Sequence, residues 1–162
     1  MRDISATARI SALADIEDSV RGSKLIVGAF SVIDSFVKIK PAGGTGDIQI
    51  GNHCVINSGC VIYSGNGVLI GNYVAIAANC TLAPTNHEFS SRARLIREQG
   101  FRASKGGIVI EDDVWVGANC VLLDGTRLMR GCVVGAGTVI RGEVPEYAVV
   151  AGDPVRVIGW RK

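Results

Sequence analysis

Leucine is scarce for so apolar a chain: there are 8 Leu against 20 Val and 17 Ile. Stiff β-branched side chains lose rotamer freedom in a helix and suit strands, so a helical bundle is not expected. Only four prolines are present, and aromatic residues make up 6%. Neither sign of charge dominates, since 17 Lys and Arg face 15 Asp and Glu for a net +2. That excludes a broad basic field for nucleic acid and an acidic solvating tail. No stretch approaches the roughly 20 apolar residues that a membrane-spanning helix needs. The start, Met1-Arg2-Asp3-Ile4-Ser5, lacks the apolar segment of a signal peptide, so a cytoplasmic location is expected. The five cysteines contain no C-x-x-C pair, which argues against a structural zinc site, and no metal is expected. Their scatter suits a reducing compartment.

What is present describes short strands and tight turns. Hydrophobic residues are 48%, charged residues 20%, and mean hydropathy is +0.31, which excludes intrinsic disorder. Glycine stands at 21 of 162 residues, well above common usage. The length fits one domain, residues 1–162.

A repeat of six organises the chain. Ile4, Ile10 and Ile16 are one run; Val27, Ile33 and Ile39 the next; then Ile50, Ile56 and Ile62; then Ile70, Ile76 and Leu82. The last, Ile110, Val116, Leu122, Leu128, Val134 and Ile140, is unbroken. Four residues after these anchors stand small or β-branched residues, among them Ala8, Ala14, Val20, Ser31, Val37, Val74, Val114, Thr126, Thr138 and Val144. All five cysteines (Cys54, Cys60, Cys80, Cys120 and Cys132) share that offset, so they read as compact core residues rather than nucleophiles. A period of six fits neither a helix nor a plain strand. It predicts short extended segments joined by turns, three to a triangular coil, with anchors inside and parallel hydrogen bonding between coils. The eighteen anchors give about six coils and a prism on the order of 29 Å long.

Two interruptions stand out. Residues 41–46 read as a flexible bulge. Residues 84–107 form a long inserted loop carrying Arg92, Arg94, Arg97, Arg102 and Lys105 against Glu88 and Glu98. Long loops in compact domains are usually functional or disordered. This one is read as covering a neighbouring subunit's site, recruiting anionic phosphates, or serving solubility. Pro145 is expected to stop the repeat, leaving residues 145–162 as a C-terminal cap.

Several local motifs accompany the repeat. They are Ala83-Pro84-Thr85-Asn86-His87-Glu88-Phe89, Asp113-Val114-Trp115-Val116-Gly117-Ala118-Asn119, Val134-Gly135-Ala136-Gly137-Thr138 and Val150-Ala151-Gly152-Asp153-Pro154-Val155-Arg156-Val157-Ile158. With them the chain resembles the hexapeptide-repeat acyltransferases, specifically the sugar and polysaccharide O-acetyltransferases related to maltose and galactoside acetyltransferase. The resemblance implies an all-β, left-handed parallel β-helix, a homotrimer with active sites between subunits, and acetyl-CoA as donor. Here the coils begin at about Ile4, without those enzymes' N-terminal helical segment, which favours a polysaccharide or sugar-nucleotide acceptor over a small free sugar.

The same resemblance assigns roles. His87, where the repeat stops, matches the general base; an imidazole titrates near neutrality and suits that role. Trp115 matches a residue near the thioester, where its indole N–H would donate to the oxyanion; the alternative is an apolar cap on a prism corner. Asn57 matches an acceptor-binding position, and Asn86, beside His87, could orient acceptor hydroxyls or the imidazole; turn formation is the alternative for each. Ala118, Ala136, Arg141 and Gly142 match positions along the pantetheine groove, Pro154 packs on adenine, and Arg156 meets phosphate. His53 lies on an outward turn inside a repeat and reads as structural or merely exposed. Two histidines are too few for the three zinc ligands of a carbonic-anhydrase-like prism. A non-catalytic scaffold would leave His87 and Trp115 unexplained. N-acetylation of an amino group on a nucleotide-linked sugar is the alternative to O-acetylation.

Overall fold

The computed structural model describes Met1–Lys162. Three strands make each coil. The first coil is β1 (Arg2–Ile4), β2 (Arg9–Ile10) and β3 (Asp15–Ile16); the second is β4 (Leu25–Val27), β5 (Val32–Ile33) and β6 (Lys38–Lys40); the third is β7 (Ile48–Ile50), β8 (Val55–Ile56) and β9 (Val61–Tyr63). The fourth coil is β10 (Val68–Ile70), β11 (Ala75–Ile76) and β12 (Thr81–Ala83), after which the long loop carries one short helix, α1 (Ile96–Gln99). The fifth is β13 (Ile108–Ile110), β14 (Trp115–Val116) and β15 (Val121–Leu123); the sixth is β16 (Arg127–Leu128), β17 (Val133–Val134) and β18 (Val139–Ile140). The chain ends with β19 (Glu143–Val144), β20 (Ala148–Ala151) and β21 (Arg156–Trp160).

Strands of successive coils pair in parallel, so every third strand joins one of three sheets. The first face runs from β1 to β19, the second from β2 to β20, and the third from β3 to β18. This is the left-handed parallel β-helix. Its anchors stack in register: Ile33 on Ile56, Ile56 on Ile76, Ile76 on Val116 and Val116 on Val134. The thirty buried apolar residues form one cluster, which includes all five cysteines. Burying each Ile or Leu anchor contributes about 1.5–3 kcal/mol. The small positions carry buried polar groups only where these are bonded to a coil backbone. The Ser31 hydroxyl donates to Gly51 O at 2.7 Å, and that of Thr126 to Ile140 O at 3.1 Å.

The repeat is unequal around the prism. From first to second face, and from second to third, every step between stacked anchors is six residues. From third to first the steps vary, as from Ile16 to Val27, Leu82 to Ile110 and Ile140 to Val144. All additions and deletions of chain therefore sit on one edge.

Four readings of the sequence change. Val144 pairs with Leu128 on the first face and is an anchor, not a small position; the step before it is shortened. The solenoid does not stop at Pro145, because β20 continues the second face, with Val150 opposite Val134. Only β21 departs, folding back antiparallel on β20. Val20 is 95% exposed, because the chain has already left the third face after Ile16. The bulge at 41–46 is anchored: Gly46 N–H donates to Gly65 O and Gly65 N–H to Ala42 O, both at 2.9 Å. A Cβ at Gly44 would collide with the Gly65 carbonyl oxygen. On the first face the small position, two residues before the anchor, is filled by the larger Leu25, Ile48, Val68 and Ile108, which the offset of four missed because the preceding step is not six.

Leu122 is wholly buried mid-stack. Leu122→Ala is expected to cost about 2–5 kcal/mol, whereas Val20→Ala should stay within about 0.5 kcal/mol; denaturant unfolding of the two variants checks this.

Candidate active site

His87 lies just beyond β12, where the chain leaves the third face. The loop returns beside it as a two-stranded strip. Glu88 N–H donates to Gly100 O at 3.0 Å and Arg102 N–H to Asn86 O at 2.9 Å, bracketing a bridge between His87 and Phe101. The two rings sit 4.7 Å apart with planes tilted by 40°. This packing restricts the imidazole from one side while leaving it exposed on the other.

The loop is ordered by its own polar groups. The Gln99 amide donates to Ser91 O and Arg94 O and accepts from Ser91 N–H. Arg94 donates to Glu98 O at 2.6 Å. At the loop's return, the buried Asp124 carboxylate accepts from Lys105 N–H at 2.8 Å and Gly107 N–H at 2.9 Å. Glu88 accepts from the Phe89 and Ser90 N–H groups, both at 2.8 Å, and lies 3.6 Å from Arg102. These Ser90 and Phe89 donors, with the Arg102 charge, hold its carboxyl below the usual glutamate range. Arg102 in turn rests over the Phe89 ring at 4.1 Å.

A cavity of about 270 Å³ opens against His87. It is lined by Tyr63, Ala83, Thr85 and Phe101, together with Ala42 and Gly43 of the bulge. Gly43 has φ +82°, and a Cβ there would press on the Thr85 hydroxyl. The bulge therefore completes a site that the sequence associated with the long loop alone. Tyr63, Phe101, Gly43 and Asp124 escaped the sequence reading because only the coil geometry brings residues 43, 63, 87 and 101 together. The departures from the repeat at 41–46 and 84–107 were the available signal.

None of the other candidates lines this cavity. Trp115 stands mid-face on β14, 55% exposed, rather than capping a corner, and its face is not the one that ends at His87. One copy of the chain does not bring the two together. Asn57 turns the second-to-third corner, where its amide donates to Ile76 O at 2.9 Å, tying adjacent coils. Asn86 pairs its carbonyl across the loop. Ala118 and Ala136 occupy successive second-to-third corners, and neither backbone N–H has an acceptor within the chain. Arg141 and Gly142 lie on the third-to-first edge instead, so the expected donor positions divide between two edges. Arg141 is engaged with Asp153 at 3.3 Å, and Pro154 and Arg156 are exposed on the returning tail.

His53 is an exposed turn residue, as expected, at φ +55°. Its ring is sandwiched between Phe30 and Tyr73 with centroids 5.1 and 4.9 Å away, so it belongs to a corner ladder rather than to a cavity. The cysteines are buried free thiols. Burial pushes the Cys132 thiol up to about 12 and raises that of Cys54. The Cys54, Cys60, Cys80 and Cys120 thiols meet backbone carbonyls of the neighbouring coil.

Residues 107–142 match the family model described as bacterial transferase hexapeptide (six repeats). A probable acetyltransferase of Mycobacterium tuberculosis is 31% identical over 147 residues, which are 90% of this chain and 39% of that protein. A 2,3,4,5-tetrahydropyridine-2,6-dicarboxylate N-acetyltransferase of Staphylococcus aureus is 49% identical over 55 residues, 34% of this chain and 23% of that one. The chain thus spans less than half the length of these curated relatives. Among solved structures, a point mutant of AntD, an N-acyltransferase from Bacillus cereus in complex with dTDP-4-amino-4,6-dideoxyglucose and coenzyme A, superposes with a TM-score of 0.82. It is 20% identical, over 99% of this chain and 84% of that one. No helix is long and apolar enough to cross a membrane.

Because the folded state lowers the Glu88 pKa, its stabilising effect on the loop is full above the ordinary glutamate range and is lost as pH falls through the depressed value. Amide hydrogen exchange at Phe89 and Ser90 should accelerate in acid beyond its intrinsic pH dependence, and Glu88→Gln should remove that acid-dependent component.

Proposed function

We propose that this chain, a member of the bacterial hexapeptide-repeat transferases, is an acetyl-CoA-dependent acetyltransferase in which His87 is the general base and the acceptor is a sugar or polysaccharide hydroxyl. The observation that carries the reading is an exposed imidazole, held by Phe101, opening on a cavity where the solenoid is interrupted. The other histidine is locked in a ring stack away from any such cavity.

The chemistry follows from that placement. The acceptor oxygen attacks the thioester carbonyl while the His87 imidazole takes the hydroxyl proton. The carbon–sulfur bond of the tetrahedral intermediate then breaks, and the thiolate recovers the proton to leave as free thiol. No acyl-enzyme is required, consistent with five buried cysteines. The unpaired N–H groups of Ala118 and Ala136 are suited to pantetheine amide oxygens, and Arg156 to a phosphate; Arg141, Gly142 and Pro154 complete the expected donor track. Since Trp115 and His87 project from different faces, the site would be completed between copies in a homotrimer, with the Trp115 indole of one subunit donating near the thioester held beside His87 of the next. Asn57 and Asn86 are the proposed acceptor contacts. Acetyl-CoA supply would place the enzyme in the cytoplasm, in polysaccharide biosynthesis.

N-acetylation of an amino group on a nucleotide-linked sugar is the second reading. It is favoured by the fold likeness to the Bacillus N-acyltransferase and by the Staphylococcus N-acetyltransferase relative.

Thiol release from acetyl-CoA, with mass detection of acetylated sugars, tests the function. His87→Ala should lower turnover by about 10²–10⁴-fold. Unchanged turnover would remove His87 from the mechanism while leaving the fold intact.

A further inference from the structure

The corner between the first and second faces repeats one outward turn position in every coil from the second onward. Phe30, His53, Tyr73, Asp113, Gly131 and Tyr147 hold it, all at positive φ. From His53 on, each donates its N–H one coil back, to the residue before its counterpart. The rings of Phe30, His53 and Tyr73 stack, but Asp113 and Gly131 interrupt the column before Tyr147. Arg161 fills the interruption. Its Nη1 donates to the Asp113 carboxylate and to Gly131 O, both at 2.9 Å, and to Asp113 O at 3.3 Å. Its backbone N–H donates to Tyr147 O at 2.8 Å, and its guanidinium lies 6.0 Å from the Tyr147 ring centre. Gly131 leaves the room for this, because a Cβ there would collide with the Tyr147 ring and come 3.2 Å from Arg161 Nη1.

Arg161 closes a tail that is also held at its start. There the Gly152 N–H donates to the Thr138 hydroxyl at 3.2 Å, and Arg141 reaches Asp153 at 3.3 Å. Between the two attachments lie Pro154 and Arg156, and β21 pairs antiparallel with β20 from Arg156 opposite Ala151 to Trp160 opposite Ala148. At the other side of the clasp, Asp113 stands in the turn that leads into β14, two residues before Trp115. One guanidinium therefore joins the tail to the turn that feeds Trp115, and every one of these contacts lies within a single chain. An exposed ion pair alone is worth little. Here the charged group also meets two backbone carbonyls, and bonds from a charged donor are the stronger kind. We propose, resting on the reading of Pro154 and Arg156 as part of the donor site, that Arg161 is a positioning residue for donor binding. It clasps the tail across the corner and holds Pro154 and Arg156 ready for the adenylate end of coenzyme A. A segment already in place spares the ligand the cost of ordering it. Arg161 acts through residues 154–156 rather than by touching the donor.

Calorimetric titration of the intact protein with coenzyme A tests this without an acceptor. Arg161→Met keeps the stem and removes the charged fork, and it should weaken coenzyme A binding by about fivefold or more. Arg161→Lys keeps the charge and should recover part of that loss. Asp113→Asn tolerates the positive φ and removes the carboxylate, and it should weaken binding by about twofold or more. The double variant Arg161→Met, Asp113→Asn should fall short of the product of the two single effects, because both break one contact. Hydrogen exchange of residues 156–160 should quicken by about tenfold or more in Arg161→Met, while the coil of β7, β8 and β9 keeps its protection and shows that the prism is folded. Arg156→Ala reads the premise directly and should also weaken coenzyme A. Unchanged affinity in Arg161→Met, with affinity lost in Arg156→Ala, would overturn the inference and leave the donor reading of the tail standing. Unchanged affinity in both variants would overturn both. Independent effects of Arg161→Met and Asp113→Asn, or unaltered exchange in the tail, would also overturn the clasp.

Discussion

Parallel pairing between coils constrains everything else in this molecule. Each strand must present its N–H and C=O groups to the strand one coil away at ~4.8 Å, so a coil has to close where the next begins. Extra residues cannot be absorbed within a strand of two or three residues without breaking the ladder. They must leave at a corner, and here they leave at one corner only. The constant six-residue steps on the other two edges keep Ile10 to Val150 and Ile16 to Ile140 in unbroken stacks. The third edge is left free to vary, and it carries the bulge at 41–46, the loop at 84–107 and the shortened step before Val144.

That division explains where a site can form. A regular β-helix has flat faces and filled cores, with no concavity of its own. The cavity at His87 exists because two insertions on the same edge, two coils apart, lean on each other across Gly65 and Thr85. The prism supplies rigidity beneath them: Ala83 and Tyr63 are fixed by strands whose inward neighbours, Leu82 and Ile62, are wholly buried. His87 and Phe101 thus sit on the loop, while Tyr63 and Ala83 sit on the scaffold.

The solenoid was legible because its signal is a spacing, and spacings survive in one dimension. Eighteen anchors and the five cysteines fell where the period put them. The period failed where two rules shared a number. Val144 lies four residues after Ile140, which suits the small position, yet its strand pairs with that of Leu128. Val20 obeyed the same offset after the chain had already left the coil. Pro145 read as a stop, but it falls at a corner, where no ladder N–H is needed, and the second face runs on to Ala151. His87 was legible as the histidine at an interruption. Tyr63 was not, because a tyrosine after an anchor is ordinary until the coil above and the bulge beside it are known.

The layout also bears on why the donor and acceptor features fall on different parts of one chain. At a corner of constant step Ala118 and Ala136 repeat the same conformation one coil apart, each with a free backbone N–H. A long, repetitive ligand arm with evenly spaced amides suits that periodic edge. An acceptor of irregular shape suits the edge where the period is broken. A single copy holds these two edges apart, at either end of the third face, and on the proposed reading a second copy set edge to edge with the first would unite them. Trp115 stands on the second face, between its first-to-second edge and the corners that carry the free donors. Its indole N–H therefore lies on the donor half of such a junction, and the exposed imidazole of His87 on the acceptor half. In the proposed homotrimer the chemistry would join the periodic part of one subunit to the aperiodic part of another.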